Sequence, residues 1–189
     1  MSGLKATAEE IMGGIKRFIS SLETEQVEKM IDMITDLRDR KIFVVGAGRS
    51  GLIGRAFAIR LMHLGFNAYV VGETITPALS RDDVLLAISS SGATTFVVAA
   101  AKTSKRNGGK VIAVTSHADS PIGKVADHVV VLKGKTKLAE KTGLPEHLTP
   151  LGTLFEASCL VFFDSIVVEL MRRLNKTEED MRRRHSTIE

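Results

Sequence analysis

From residue 41 to about residue 133 the chain keeps one rhythm: a short apolar run, then a turn of glycine or hydroxyl residues, then in most cases a stretch with helical spacing. The apolar runs are "KIFVVG", "NAYVVG", "DDVLLAIS", "GKVIAVTS" and "DHVVVLK". Short runs of this kind read as strands buried on both faces, as in a parallel sheet covered by helices. The covering helices are also legible. "SGLIGRAFAIRLMHLG" is closed by Gly65, a second helix runs from about Thr94 to Arg106, and "SPIGKVA" makes a short third. The rhythm therefore predicts an α/β fold of three layers, α/β/α, around a mostly parallel sheet. Ligands of such sheets bind beyond the carboxyl ends of the strands, where the winding direction reverses.

Helices flank this core. In "SSLETEQVEKMIDMITDLRDRK", Val27, Met30, Ile31, Ile34 and Leu37 recur at helical spacing, with Ser21 or Thr24 as the expected cap. "KATAEEIMGGIKRFISSL" forms a preceding helix weakened by Gly13 and Gly14, so residues 1–40 read as a leading hairpin suited to packing on a neighbouring subunit. After the core, residues 41–133, comes the polar loop "KGKTKLAEKTGLPEH". A long apolar helix follows from about Thr149 to Leu174, with Thr149 as N-cap and Pro150 in the first turn; "TEEDMRRRH" ends the chain. Residues 149–189 are thus helical, and with neither a repeat nor a linker the 189 residues read as one domain.

Composition narrows the function. The formal charge of +4 favours anionic partners, yet Trp is absent and Tyr occurs once, so a base-stacking platform would rest mainly on Phe, and a small phosphorylated ligand is expected rather than nucleic acid. No apolar run reaches the ~20 residues of a membrane span, and "MSGLKATAEEIMGG" lacks a signal peptide's apolar core. The expectation is a cytoplasmic protein that engages no membrane. Cys159, the single cysteine, lies within "EASCLVFF" and reads as a buried structural thiol. His63, His117, His128 and His147 show no metal-ligand spacing and read as structural or surface residues, so no metal is expected.

Two loops carry the chemistry. Gly46, Gly48 and Gly51 form G-x-G-x-x-G between a strand and a helix, which lets backbone N–H groups approach a phosphate. Glu73, after the next strand, stands about where a dinucleotide fold places its ribose-binding acid. The second loop, in "LLAISSSGATTFVVAA", sets Ser89, Ser91, Gly92 and Thr94 before a helix N-terminus, a match for a phosphate monoester. Ordinary helix capping by Ser91 or Thr94 is the alternative. "TSHAD" brings further hydroxyls to the same edge of the sheet.

"VVGAGRSG" followed by "AISSSGATTFV" resembles the SIS, or sugar isomerase, domain, whose S-x-S-G-x-T element is met by Ser89, Ser91, Gly92 and Thr94. "VGETITPAL", "TPLGTLFE" and "MRRRHSTIE" bring the chain closer to the 6-phospho-3-hexuloisomerase family, over nearly its whole length. The resemblance implies a flavodoxin-like sheet of five parallel strands and a homotetramer with sites at subunit contacts. It also implies interconversion of D-arabino-hex-3-ulose 6-phosphate and fructose 6-phosphate in the ribulose monophosphate pathway. The family's usual ending is nearer "RHANLE", so the resemblance at the C-terminus rests on Arg184 and His185.

Moving a ketone from C3 to C2 passes through an enediol and shifts protons only, so no redox cofactor is called for. Glu156, alone among carboxylates between His147 and Asp164, is the expected base; desolvation in an apolar helix would raise its pKa. The other reading is a buried Glu paired with an arginine. His185 is the candidate proton shuttle, acting in a neighbour's site, or else a solvated helix residue. Gly48, Arg49 and Ser50 of the first loop and Glu73 are candidate sugar or phosphate contacts. Three rivals stand beside this reading, the nearest being another sugar-phosphate isomerase on the same fold. A nicotinamide-dependent dehydrogenase would use the glycine loop but has no clear catalytic domain left, and a non-catalytic sugar-phosphate sensor would ordinarily carry a DNA-binding domain.

Overall fold

The computed structural model describes residues 3–37, 39–132 and 153–188. Two helices lead, α1 (Gly3–Ser20) and α2 (Thr24–Thr35). The core follows as β1 (Lys41–Gly46), α3 (Gly48–Leu64), β2 (Asn67–Val70), β3 (Val84–Ile88), α4 (Thr95–Arg106), β4 (Lys110–Thr115), α5 (Pro121–Val125) and β5 (His128–Val131). The long α6 (Thr153–Arg173) and the short α7 (Glu178–Arg182) complete the described chain. The five strands form one sheet in the order β2-β1-β3-β4-β5, every neighbouring pair parallel. This is the flavodoxin-like order, and it reverses direction between β1 and β3.

The apolar runs explain the layers. In β1, Ile42 and Val44 face one core while Phe43 and Val45 face the other; β3 divides Leu86 and Ile88 from Leu85 and Ala87 in the same way. The first core is the larger, and α1, α2, α3 and α6 cover it with Phe18, Ile34, Phe57, Phe162 and Phe163. Phe57 and Phe163 stack with ring centroids 4.5 Å apart, which ties α3 to α6. The second core, under α4 and α5, is built from smaller residues such as Ala87, Ala101 and Ala113, so those helices lie close to the sheet.

The amino ends of the strands are stitched by two carboxylates. Asp83 accepts the backbone N–H of Lys41 at 2.9 Å and of Ser80 at 2.8 Å, and the Lys41 ammonium stands 3.2 Å away. Asp127 accepts the N–H of Val111 at 2.7 Å and pairs with Lys105 at 2.5 Å. The open edge at β5 is fastened to α2: Gln26 Oε1 accepts the N–H of Val131 at 3.0 Å, and the Gln26 carbonyl lies 2.6 Å from His128 Nε2.

Capping differs from expectation at the start of α2. Glu23 holds the N-cap position without a side-chain bond, Thr24 is already helical, and the Ser21 hydroxyl donates back to the Phe18 carbonyl. Thr177, by contrast, makes a full capping box with Asp180. The expected cap at Thr149, Pro150, the polar loop and His147 lie outside the described residues. Among the described residues no helix is long and apolar enough to cross a membrane.

Candidate active site

At the carboxyl edge of the sheet, the loops after β1, β3 and β4 and the first turn of α6 surround a cavity of about 360 Å3. Ala47 and Ser50 enter from the first loop, Ser89, Ser90, Ser91 and Thr94 from the second, His117 from the third, and Glu156 from α6. The parallel topology makes this meeting obligatory, because β1, β3 and β4 are neighbours and all end on one side.

The first loop is shaped by packing. A Cβ on Gly46 would stand 2.8 Å from the Gly51 nitrogen, and one on Gly51 would stand 2.8 Å from the Gly46 carbonyl oxygen. Those two glycines of the fingerprint thus close a strand-to-helix turn, which removes the need for a dinucleotide to explain them. Gly48 opens α3 with φ of 54° but is not among the residues lining the cavity.

The second loop is preorganised by its own hydroxyls. The Ser89 and Thr94 hydroxyls lie 2.9 Å apart, Ser89 Oγ accepts the N–H of Gly92 at 3.1 Å, and Ser91 Oγ accepts that of Ala93 at 3.2 Å. Thr94 occupies the N-cap position of α4 without a side-chain cap, so ordinary capping does not account for it. Gly92 adopts φ of 63°, and a Cβ there would lie 2.0 Å from Ser120 Oγ, so only glycine fits. The third loop braces the second. Ser116 N and the Thr115 hydroxyl donate to the Ser90 carbonyl at 3.0 and 3.1 Å, and Ile122 N donates to that of Gly92 at 2.9 Å.

Glu156 is 8 % exposed. It is paired, as the second of the two sequence readings held: Arg49 Nε reaches its Oε2 in an ion pair. The contact is not an aligned hydrogen bond, since Oε2 is buried and accepts none. Arg49 itself is largely exposed and turns to the carboxylate. Burial pushes the neighbouring Cys159 thiol well above its ordinary value, and the Glu156 charge adds to the effect, so this cysteine is inert at neutral pH.

Three candidate residues are not brought to the cavity within one chain. Glu73 pairs with Arg55 and lines a separate apolar groove with Ile59, Met62 and Ile75. His185 stacks on His63 with ring centroids 5.2 Å apart, and the Arg184 guanidinium lies over Gly65, both at the carboxyl end of α3. Ser50, at the other end, is thirteen residues from His63, or about 20 Å along the helix axis. The sequence reading missed Ser90 and His117. Their signal was position: each follows a strand that ends at the ligand-binding edge.

The SIS domain model matches residues 37–144. The chain belongs to the SIS domain family. Within this family, the 3-hexulose-6-phosphate isomerase of Bacillus subtilis is 36 % identical over 180 residues, covering 95 % of this chain and 96 % of the relative. A protein of the same name from Methanocaldococcus jannaschii is 38 % identical over 175 residues, covering 92 % of this chain and 91 % of its own. A solved structure of a Methanococcus jannaschii protein, for which that isomerase function was inferred, superposes with a TM-score of 0.77 at 36 % identity and full coverage of both chains. In this chain the matched region includes the hydroxyl loop Ser89–Thr94, which follows β3, the middle strand of the sheet.

Proposed function

We propose that this protein is a sugar-phosphate isomerase that interconverts D-arabino-hex-3-ulose 6-phosphate and fructose 6-phosphate, the reaction of the ribulose monophosphate pathway. One observation carries the reading: a phosphate-sized hydroxyl loop and a buried carboxylate line the same cavity. The names of the Bacillus and Methanocaldococcus relatives support the choice of sugar.

The phosphate sits against Ser89, Ser91 and Thr94 and the free N–H groups at the start of α4, whose dipole favours an anion. The sugar then extends toward β1, past Ser50, to Glu156. There the carboxylate takes the proton from C2 while O3 gains one, giving the 2,3-enediol. The same carboxylate then returns its proton to C3 as O2 gives up the proton that replaces the one taken by O3. Arg49 balances the carboxylate's charge and is placed to meet the sugar oxygens as substrate enters. No step requires an electron acceptor.

His185 serves, in this reading, the cavity of a second copy, because its own is at the far end of α3. The proposed homotetramer is supported by exposed apolar side chains on the packed pair α3 and α6, namely Leu52, Ile59, Leu160, Val161 and Val168. A cytoplasmic location accords with a sugar-phosphate substrate. The deciding assay is a panel of ketose and aldose phosphates. Turnover of fructose 6-phosphate to the 3-ulose is expected, and preference for an aldose phosphate would reassign the substrate.

A further inference from the structure

We infer that His117 is the basic side chain that grips the substrate phosphate from the β4 bank of the cavity. The inference rests on the sugar-phosphate reading of the site and adds a residue to it. The β3 loop offers hydroxyls and N–H groups but no formal positive charge, and His117 is the one basic side chain lining the cavity among the described residues. Arg49, the nearest alternative, meets the Glu156 carboxylate and so stands on the sugar side of the site. A phosphate dianion in a cleft that also holds a carboxylate favours a basic group beside it as its countercharge.

The topology places that countercharge on the correct side. β3 lies between β1 and β4, so the Ser50–Glu156 bank and the His117 bank stand two strand spacings apart, roughly 10 Å. With the phosphate over the middle loop, the reacting carbons reach toward Glu156 and the phosphate's opposite oxygens face His117. The backbone at this position is fixed to the phosphate loop. His117 N donates to Thr115 Oγ1 at 3.3 Å, Thr115 Oγ1 donates to the Ser90 carbonyl, and the Ser90 and Ser116 hydroxyls lie 3.3 Å apart. The imidazole is exposed, so it is free to swing onto a ligand, and a substitution there leaves the core untouched.

The test compares wild type, His117→Gln and His117→Lys with fructose 6-phosphate as substrate and inorganic phosphate as competitive inhibitor. The expected result for His117→Gln is a rise of roughly tenfold in both KM and the phosphate inhibition constant, the size of one charge-assisted hydrogen bond. The loss falls on KM rather than on kcat, and His117→Lys recovers most of it. Unchanged constants in His117→Gln, or a loss confined to kcat, would overturn the inference while wild-type inhibition by phosphate keeps the site reading intact. A wild-type protein that neither turns over nor binds either probe would instead overturn the site reading itself.

Discussion

The two ends of the same sheet treat their carboxylates in opposite ways. At the amino end, Asp83 is 2 % exposed and fully provided for, with two backbone N–H donors and an ammonium. Burial alone raises its pKa, but the N–H groups of Lys41 and Ser80 and the Lys41 charge outweigh it and hold the carboxyl below its ordinary range. At the carboxyl end, Glu156 is nearly as buried, yet its Oε2 accepts no hydrogen bond and meets only a solvent-exposed arginine. A buried charge without aligned donors costs stability. The difference teaches that a carboxylate at the amino end holds the fold, while the one at the carboxyl end adds little to it and suits the proposed chemistry.

The largest expected effect is on Glu156→Gln, which keeps the shape and removes the proposed base. Turnover of fructose 6-phosphate should fall ~10²–10⁴-fold, with the melting temperature unchanged or raised. A variant that loses stability yet keeps its turnover would make the two carboxylates equivalent and break the comparison.

Asp83→Asn should do the reverse. Losing the anion leaves N–H groups poorly paired and costs about 1–3 kcal/mol in urea unfolding, with kcat intact. The pH dependence sharpens this. A carboxyl held low in the folded state contributes stability that is fully present above its unfolded value, near 4, and is lost as pH falls through the folded value. The melting gap between wild type and Asp83→Asn should therefore be constant near neutrality and narrow below about pH 4. A gap that widens in acid would reverse the sign assigned to Asp83.

Smaller again is Ser91→Ala, which removes one hydroxyl from the phosphate loop. It should weaken sugar phosphate and inorganic phosphate together by ~1–2 kcal/mol, measured by calorimetric titration. Affinities unchanged from wild type in both Ser91→Ala and Thr94→Ala would take the loop out of the site. The least effect belongs to Lys105→Ala, whose pair with Asp127 is more than a third exposed. Its melting should change by under about 0.5 kcal/mol, since water already screens that pair.

The strands, their order of appearance and the hydroxyl loop were legible because each is set by local pattern: apolar runs of strand length, and Ser89, Ser91, Gly92 and Thr94 consecutive with a helix start. The Arg49–Glu156 pair was not, because it joins residues more than one hundred positions apart across two elements. Nothing near either residue in sequence announces the other. His117 was passed over for a different reason. Judged by ligand spacing it is an isolated histidine, and only the parallel order of β1, β3 and β4 places it opposite Glu156. The separation of His185 from the cavity likewise follows from the length of α3, which local pattern gave correctly, once α7 is seen to dock at its far end.

Gln26 bears on how copies of the protein can meet. The β5 edge of a parallel sheet is a row of unpaired N–H and C=O groups, a template onto which another chain can add a strand. Gln26 occupies that row from α2, taking the Val131 N–H with its amide oxygen while its own carbonyl meets His128. A strand arriving at β5 would have to break both contacts and lift a helix whose Met30, Ile31 and Ile34 are buried. Sheet-to-sheet growth on this side is therefore opposed by α2, and a copy approaching β5 meets a helical face before it meets the strand.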